Sequence, residues 1–385
     1  GSDNNYRASA LAGFDLGAAN IMIGAGWQHR SELPTTARDF TQTPYADNPT
    51  GFSFLSNPGL YAPLGIIPGR GVSTLGLAVD GNQLDACESL GGIDGVFPRP
   101  GATPLPVCRY SYIPFVNLIE EEDRYQVYGQ LTADLSDKVS FTAEALYSHT
   151  ELLSLGYSPS YPITQGPNGP GSASAFTVPA SNPGYADYLA QTFAPGTPPR
   201  LFTPVLSSVV LFRPFALGGN PLDPRGAGQG QAINDAWRMS GSFDIELSDA
   251  LTLQTSGTYI NSKRKAFSND IVSDRLQRAL NGLGGDNCGG TTPGVGGCLY
   301  FNPFINSAPG NPALGLTNPA YVPGNENSQE VIDYITRPSG TDATEEQYIV
   351  DAVFSGEANL FGRTLGYAFG GQYRKTDFAT DPLNR

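Results

Sequence analysis

The clearest periodicity in the chain lies in Trp237-Arg238-Met239-Ser240-Gly241-Ser242-Phe243-Asp244-Ile245-Glu246-Leu247, followed by Ser248-Asp249-Ala250 and then Leu251-Thr252-Leu253-Gln254-Thr255-Ser256-Gly257-Thr258-Tyr259. In the first arm Trp237, Met239, Gly241, Phe243, Ile245 and Leu247 share one phase, and Arg238, Ser240, Ser242, Asp244 and Glu246 share the other. Strict alternation of this kind marks a β-strand with one apolar and one polar face. The second arm sets Leu251, Leu253, Gly257 and Tyr259 against Thr252, Gln254, Ser256 and Thr258. The short Ser-Asp-Ala link predicts a hairpin. Each arm is about ten residues long, the length of a tilted strand that crosses a bilayer. Each also ends, far from the turn, in an aromatic on the apolar phase.

Three further segments repeat the pattern. Tyr125, Val127, Gly129, Leu131, Ala133 and Leu135 lead through Ser136-Asp137-Lys138 to Val139, Phe141, Ala143, Ala145 and Tyr147. Tyr348 to Leu360 turns at Phe361-Gly362-Arg363 and returns from Leu365 to Tyr373, and a weaker copy runs from Tyr6 to Phe14 and back from Ile21 to Trp27. Eight arms therefore carry Tyr6, Trp27, Tyr125, Tyr147, Trp237, Tyr259, Tyr348 and Tyr373 at matching places. An aromatic girdle at a membrane interface accounts for both their phase and their height. The predicted hairpins cover about 5–30, 124–150, 236–264 and 345–376, with long segments at about 31–123, 152–234 and 265–344 between them. The tail 377–385 is polar and gives no strand signal. Tight turns alternating with very long loops are unusual in a compact soluble domain, and typical of outer-membrane barrels with turns on the periplasmic side and loops outside.

Composition agrees. The 385 residues are 15% charged and 39% hydrophobic, with 47 Gly and 32 Pro. No apolar run reaches the ~18 residues of a transmembrane helix, whereas a barrel spreads its hydrophobicity over alternate positions. The net charge of −14 argues against a nucleic-acid partner, for which a basic stripe is expected. No signal peptide is visible at Gly1. The cysteines fall in two close pairs, Cys87 with Cys108 and Cys288 with Cys298, each within one Gly/Pro-rich loop and without metal-type spacing. Two intraloop disulfides and an oxidising compartment follow from that placement; four free thiols are the alternative.

Within the loops, Tyr185–Phe193 reads as a short helix. Ser273–Leu283 reads as another, capped by Ser273 and ended by Gly284-Gly285, with Leu276, Leu280 and Leu283 on one side. Tyr300, Phe301 and Phe304 form an aromatic cluster suited to stacking on a ligand or sugar; the alternative is that they pin a loop over the barrel mouth. Asp270, Asp274 and Asp286 offer calcium ligands without EF-hand spacing, and solvated loop positions explain them equally. On the strands Arg238, Asp244, Glu246, Gln254, Asp351, Glu357 and Arg374 take the polar phase and fit a lumen. The two histidines, His29 and His149, lie on the apolar phase just beyond Trp27 and Tyr147. That places them at headgroup level and not in a shared cleft, which disfavours a Ser-His-acid hydrolase. No catalytic residue, resident metal or cofactor is expected.

The repeated hairpins with Leu-Ser-Asp turns, the arm Ala143-Glu144-Ala145-Leu146-Tyr147 and the segment Cys298-Leu299-Tyr300-Phe301-Asn302-Pro303-Phe304 resemble the barrel of a TonB-dependent outer-membrane receptor. That last segment is similar to a loop motif of the large alphaproteobacterial-type receptors. The resemblance implies an all-β, antiparallel transmembrane β-barrel in the outer membrane of a Gram-negative cell. The eight strands would form part of a roughly 22-stranded barrel whose lumen is closed by a plug. It also implies transport: the loops capture a scarce solute (siderophore, cobalamin, carbohydrate or peptide), and the TonB-ExbB-ExbD system acts through the plug to drive import. The chain shows no plug, no TonB box and no terminal aromatic strand, so it is expected to be an internal piece of such a barrel. A self-contained adhesin or structural barrel, a passive porin and a soluble β-sandwich are the competing architectures.

Overall fold

A computed structural model describes residues 4–67, 71–74, 79–80, 85–98, 100–157, 163, 166–167, 176–192, 206–215, 228–311 and 315–383. Its main element is one antiparallel sheet of eight strands: β1 (Tyr6–Asp15), β2 (Ala19–Arg30), β3 (Glu121–Ser136), β4 (Val139–Tyr157), β5 (Gly228–Ser248), β6 (Leu251–Ile271), β7 (Thr336–Leu360) and β8 (Arg363–Pro382). Strand order in space is strand order in sequence, an unbroken meander. β1 and β8 are its two edges, each with a single neighbour in the sheet.

The turns follow from their residues. Ser136 Oγ accepts from Lys138 N at 3.3 Å, and Ser248 Oγ accepts from Ala250 N at 3.4 Å. That shared bond is why Leu-Ser-Asp recurs: the hydroxyl satisfies a backbone donor the ladder cannot reach. Asp15 does the same for Gly17 N at 2.8 Å. Between Leu360 and Arg363, Phe361 (φ 51°) and Gly362 (φ 76°) are both left-handed, the two-residue turn whose twist matches the strands.

The strands outrun the sequence prediction at their loop ends. β5 begins at Gly228, β7 begins at Thr336, and β8 continues to Pro382 through the tail that gave no signal. Beyond the aromatics both phases turn polar, as in Asp342, Glu345, Glu346, Lys263, Arg264 and Lys265. Alternation vanishes there although the ladder persists.

The aromatics keep a fixed relation to register. Across the long-loop junctions they stand directly opposite: Trp27 with Tyr125, Tyr147 with Trp237, Tyr259 with Tyr348. Across each hairpin the line steps down one rung. Tyr6 is opposite His29, Tyr125 opposite His149, Trp237 opposite Asn261, and Tyr373 opposite Val350. The steps share one direction and average one residue per strand. With a rise of about 3.4 Å per residue and about 4.8 Å between strands, a level belt therefore inclines the strands by roughly 35°. Transmembrane barrels tilt by ~35–45°. At that tilt the eight to ten residue steps between belt and turns, as in Val139 to Tyr147 and Trp237 to Leu247, span roughly 22–28 Å, bracketing the ~25 Å apolar band of such barrels.

The sheet has no core of its own. Among the described residues, every buried hydrophobic side chain except Ala232 and Ile271 belongs to the loops, while Trp237, Met239, Phe243, Tyr125, Val127 and Val350 are exposed on the apolar phase. No helix of the described chain is long and apolar enough to cross a membrane, which says nothing about crossing by strands.

The described parts of the loops are folded, contrary to the aperiodic reading of their sequence. Residues 176–179, 206–211, 60–67, 71–74 and 79–80 form a five-stranded sheet. Paired short strands occur at 93–97 with 105–109 and at 33–34 with 117–119. Three helices of seven or eight residues join them, α1 (Tyr185–Thr192), α2 (Ser273–Leu280) and α3 (Gln329–Ile335), besides a four-residue helical turn at Ala86–Ser89. Phe193, the predicted end of α1, lies outside the described residues. The N-cap of α2 is Val272 and not Ser273, and the helix stops at Asn281, where Gly282 turns left-handed (φ 76°) ahead of the expected Gly284-Gly285. Sequence reading missed α3, whose cap Ser328 accepts from Val331 N at 3.3 Å.

Phe243 packs on Phe141 (ring centroids 4.8 Å apart) on the apolar phase, with Ser242 on the other. Phe243→Arg is expected to cost roughly 2–4 kcal/mol in a lipid refolding titration, and Ser242→Arg far less. Equal costs would overturn the facing assignment.

Candidate functional site

The loops pack into one structured assembly, and the segment Cys298–Phe304 is its keystone. Phe301 and Phe304 are fully buried. Phe304 stacks on Tyr188 (4.5 Å, 13° between planes) and lies 5.1 Å from Tyr61. Phe301 meets Phe215 edge-on at 6.2 Å. Tyr300 sits in a slot cut by two left-handed glycines: a Cβ on Gly282 would come within 2.4 Å of its ring, and one on Gly294 within 2.9 Å. The expected ligand-stacking trio is thus turned inward in this structure. Phe301 and Phe304 offer no surface to a solute and tie this loop to the others, while half-buried Tyr300 is pinned within its own loop.

Asparagine side chains finish the job. Irregular backbone leaves peptide groups without ladder partners, and a primary amide donates and accepts as a peptide does. Asn302 Nδ2 donates to Asn306 Oδ1 (2.9 Å) and Asn325 O (3.1 Å), and its Oδ1 accepts from Phe304 N (3.1 Å). Asn182 Nδ2 donates to Leu280 O and Phe301 O, and Asn57 Nδ2 donates to Pro214 O and Pro303 O. The Asn182 and Asn57 bonds join segments 98 to 246 residues apart in sequence, while those of Asn302 stay within its own loop. The cysteines pair as expected: Cys87–Cys108 closes one loop, and Cys288–Cys298 closes the knuckle before Tyr300.

Buried charge is also held by loop backbone. Arg109 donates to Pro49 O, Phe52 O and Val96 O. Arg213 donates to Leu55 O and lies 3.7 Å above the Tyr112 ring; burial holds its guanidinium below the usual range. Burial likewise pushes the Tyr110 phenol well up. Among the described residues no group of three potential metal ligands converges. Of the acidic trio, Asp286 faces Arg275 and Arg337, Asp274 lies in the first turn of α2, and Asp270 is half-buried at the top of β6.

On the polar face of the sheet, Glu144 is the centre of one network, accepting from Arg238 (3.0 Å), Ser240 and Tyr128. Asp351 accepts from Gln372 and Ser256. Asp244 and Gln254 stand opposite each other in register, and Glu246, Glu357 and Arg374 share their phase. At the loop end Glu122 is buried between Arg30 (3.3 Å) and Arg124 (3.0 Å). On the apolar phase, a groove of about 770 Å³ crosses the sheet where Gly129, Ala143, Ala145, Gly241 and Gly257 remove side-chain bulk.

One constellation went unread in the sequence. Directly beyond the belt, each long-loop junction carries the same unit. Asp123 Oδ1 accepts from Trp27 Nε1 (3.3 Å) and contacts His29 Nδ1 (3.1 Å). Asp235 Oδ1 accepts from Tyr147 OH (2.9 Å) and contacts His149 Nδ1 (2.8 Å). Glu346 Oε1 accepts from Tyr259 OH (3.2 Å) and Asn261 Nδ2 (3.1 Å). The signal was present as aromatic-x-His or aromatic-x-Asn before a loop and acid-x-aromatic after it. Only the register shows that the halves meet.

No protein-family model matches the chain, and no curated protein matches it. Among solved structures it is similar to FpvA of P. aeruginosa, determined with a heterologous pyoverdine and Fe, at 10% identity and a TM-score of 0.39, over 99% of this chain and 27% of that one. It is also similar to the siderophore receptor PiuA from Acinetobacter baumannii, at 11% identity and a TM-score of 0.23, over 98% of this chain and 45% of that one. The chain thus spans less than half the length of either.

Two outcomes follow for the loops. Phe304→Ala is expected to destabilise them by about 3–5 kcal/mol, measured by chemical denaturation followed at loop tyrosines. Burial raises the carboxyl pKa of Asp270, so the folded loop holds that proton more tightly than the unfolded chain. Stability from this group is full below the unfolded value and falls as pH rises toward and through the folded one. Asp270→Asn should therefore raise the melting temperature at neutral pH and leave it unchanged in acid.

Proposed function

We propose that this chain is wall and outer-loop structure of a TonB-dependent receptor in a Gram-negative outer membrane, importing a scarce solute such as a siderophore, cobalamin, carbohydrate or peptide. The observation that carries this reading is the belt. Eight aromatics drift by one residue per strand in a single direction, the geometry of tilted strands whose outer face meets lipid at one level. The apolar phase is exposed along the sheet, short turns lie at one end, and folded loops lie at the other.

In lipid every backbone donor and acceptor needs a protein partner. The outer edges of β1 and β8 are therefore completed by further strands of a larger closed barrel. The polar face, with Glu144, Arg238, Asp351 and Gln372, then lines the lumen against a plug. The described loop segments form a vestibule above it, held by α1, α2, α3 and the asparagine bonds. Energy for release into the cell comes from TonB-ExbB-ExbD acting on the plug, outside the surfaces described here. The narrower choice among solutes rests on loop surface chemistry. Phe301 and Phe304 are buried away from it, whereas Phe40 and Phe54 are exposed and available to it.

The test is uptake in the native cell. A panel of labelled ferric siderophores, cobalamin, oligosaccharides and peptides is offered to wild-type cells, to cells lacking this gene, and to cells whose proton gradient is collapsed. One labelled solute should accumulate in the first only. Accumulation that persists without the gradient would indicate a passive pore, and equal uptake of every solute in cells with and without the gene would end the transport reading.

A further inference from the structure

The three units beyond the belt share one plan but not one chemistry. His29 and His149 each present both ring nitrogens to carboxylates. Nδ1 of His29 faces Asp123 at 3.1 Å and its Nε2 faces Glu121 at 4.0 Å. Nδ1 of His149 faces Asp235 at 2.8 Å and its Nε2 faces Glu151 at 3.9 Å. The third unit places Asn261 where the others have histidine. We propose that His29 and His149 are proton-dependent latches at the feet of the first two long loops, and that Asn261 is the pH-independent counterpart under the third.

The argument is one of donors and acceptors. An ionised carboxylate only accepts, and a neutral imidazole has one N–H to give. Only the imidazolium turns an N–H and positive charge to both carboxylates, the Asp in hydrogen-bond range and the Glu at ion-pair distance. The neutral ring keeps one partner and turns a lone pair toward the other carboxylate. The surroundings push the same way. His29 is faced by Tyr6 on β1 (rings 6.0 Å apart) and by Asp123 and Glu121 on β3. His149 is faced by Tyr125 on β3 (5.9 Å), by Asp235 on β5 and by Glu151 on its own strand. Asp123 stands opposite Glu151 in register, a like-charge pair, and Asp235 stands opposite Lys263 on β6. Glu121, Asp123, Glu151 and Asp235 thus meet two lysines at this level, Lys263 opposite Asp235 and Lys265 on the rung of Glu151, and two imidazolium charges offset the remainder.

Each latch spans the two strands that enter and leave one long loop: β2 with β3, and β4 with β5. Protonation ties those strands together beyond the belt. Deprotonation releases the Glu side and restores the repulsion between Asp123 and Glu151. The two loop feet then open more readily, while the amide of Asn261 holds Glu346 at either pH.

Hydrogen exchange on the protein in lipid nanodiscs tests this, at about pH 5.5 and about pH 8.5, each rate normalised to the unstructured rate at that pH. Amides at 29–32 with 120–123, and at 149–152 with 232–235, should lose roughly fivefold in protection at the higher pH, the size of one charge-assisted contact. Amides at 261–264 with 343–346 should not change. His29→Asn and His149→Asn should each abolish the response at their own junction only, and Asn261→His should create one at the third. A response equal at all three junctions, or one that survives both His→Asn changes, overturns the proposal.

Discussion

Everything in this molecule depends on an apolar sheet face that no part of the described chain covers. In a soluble protein the hydrophobic side of a sheet is buried on a helix or a second sheet, and that burial supplies most of the stability. Here the side chains that alternate toward one face of β1–β8 remain exposed, and the buried hydrophobic residues gather almost entirely in the loops. On the membrane reading proposed above, a bilayer resolves the conflict. It solvates the apolar phase without needing a protein partner, and it makes the hydrogen-bond ladder compulsory. The even meander, the two-residue turns and the small residues at mid-height are what that solvent permits.

The same constraint explains the division of labour along the chain. Strands in lipid gain little from side-chain packing against protein, so their order comes from continuous register over long spans, up to the 25 residues of β7. The loops stand in water and must hold themselves together. They do so as small domains do, with an aromatic cluster around Phe304, two disulfides and buried amides that substitute for missing ladders. The junction between the two regimes is a single residue step. An aromatic suits the interface, the next residue of the same phase is ionic or polar, and the pair shares hydrogen bonds with the facing strand.

That step makes the belt a structural gauge as well as an anchor. Register alone, without any barrel axis, yields a tilt and a thickness that agree with a membrane crossing. A belt scattered by chance would not drift steadily in one direction across eight strands. The receptor reading adds function to this geometry. The loops provide a shaped, outward-facing surface, and the polar phase provides an aqueous wall. On that reading solute choice falls to exposed loop groups, because Phe301 and Phe304 serve the interior.

The sequence by itself determined the eight strands, the alternation of their apolar and polar phases, the short turns and the cysteine pairing. Each of these is local, or is repeated at a fixed spacing that a lipid-facing strand must keep. Leu-Ser-Asp and Phe-Gly could be read as turns because the bonds and dihedrals they need involve neighbours. Tertiary structure alone decided the rest. The strands extend past the belt because partners pair with them, although their own side chains no longer alternate. Phe301 and Phe304 point inward because Tyr61, Tyr188 and Phe215, distant in sequence, arrive to cover them. His29 finds Asp123, and His149 finds Asp235, across loops of about eighty to ninety residues. Contacts that close such long loops leave no period in the chain, so only the folded register could reveal them.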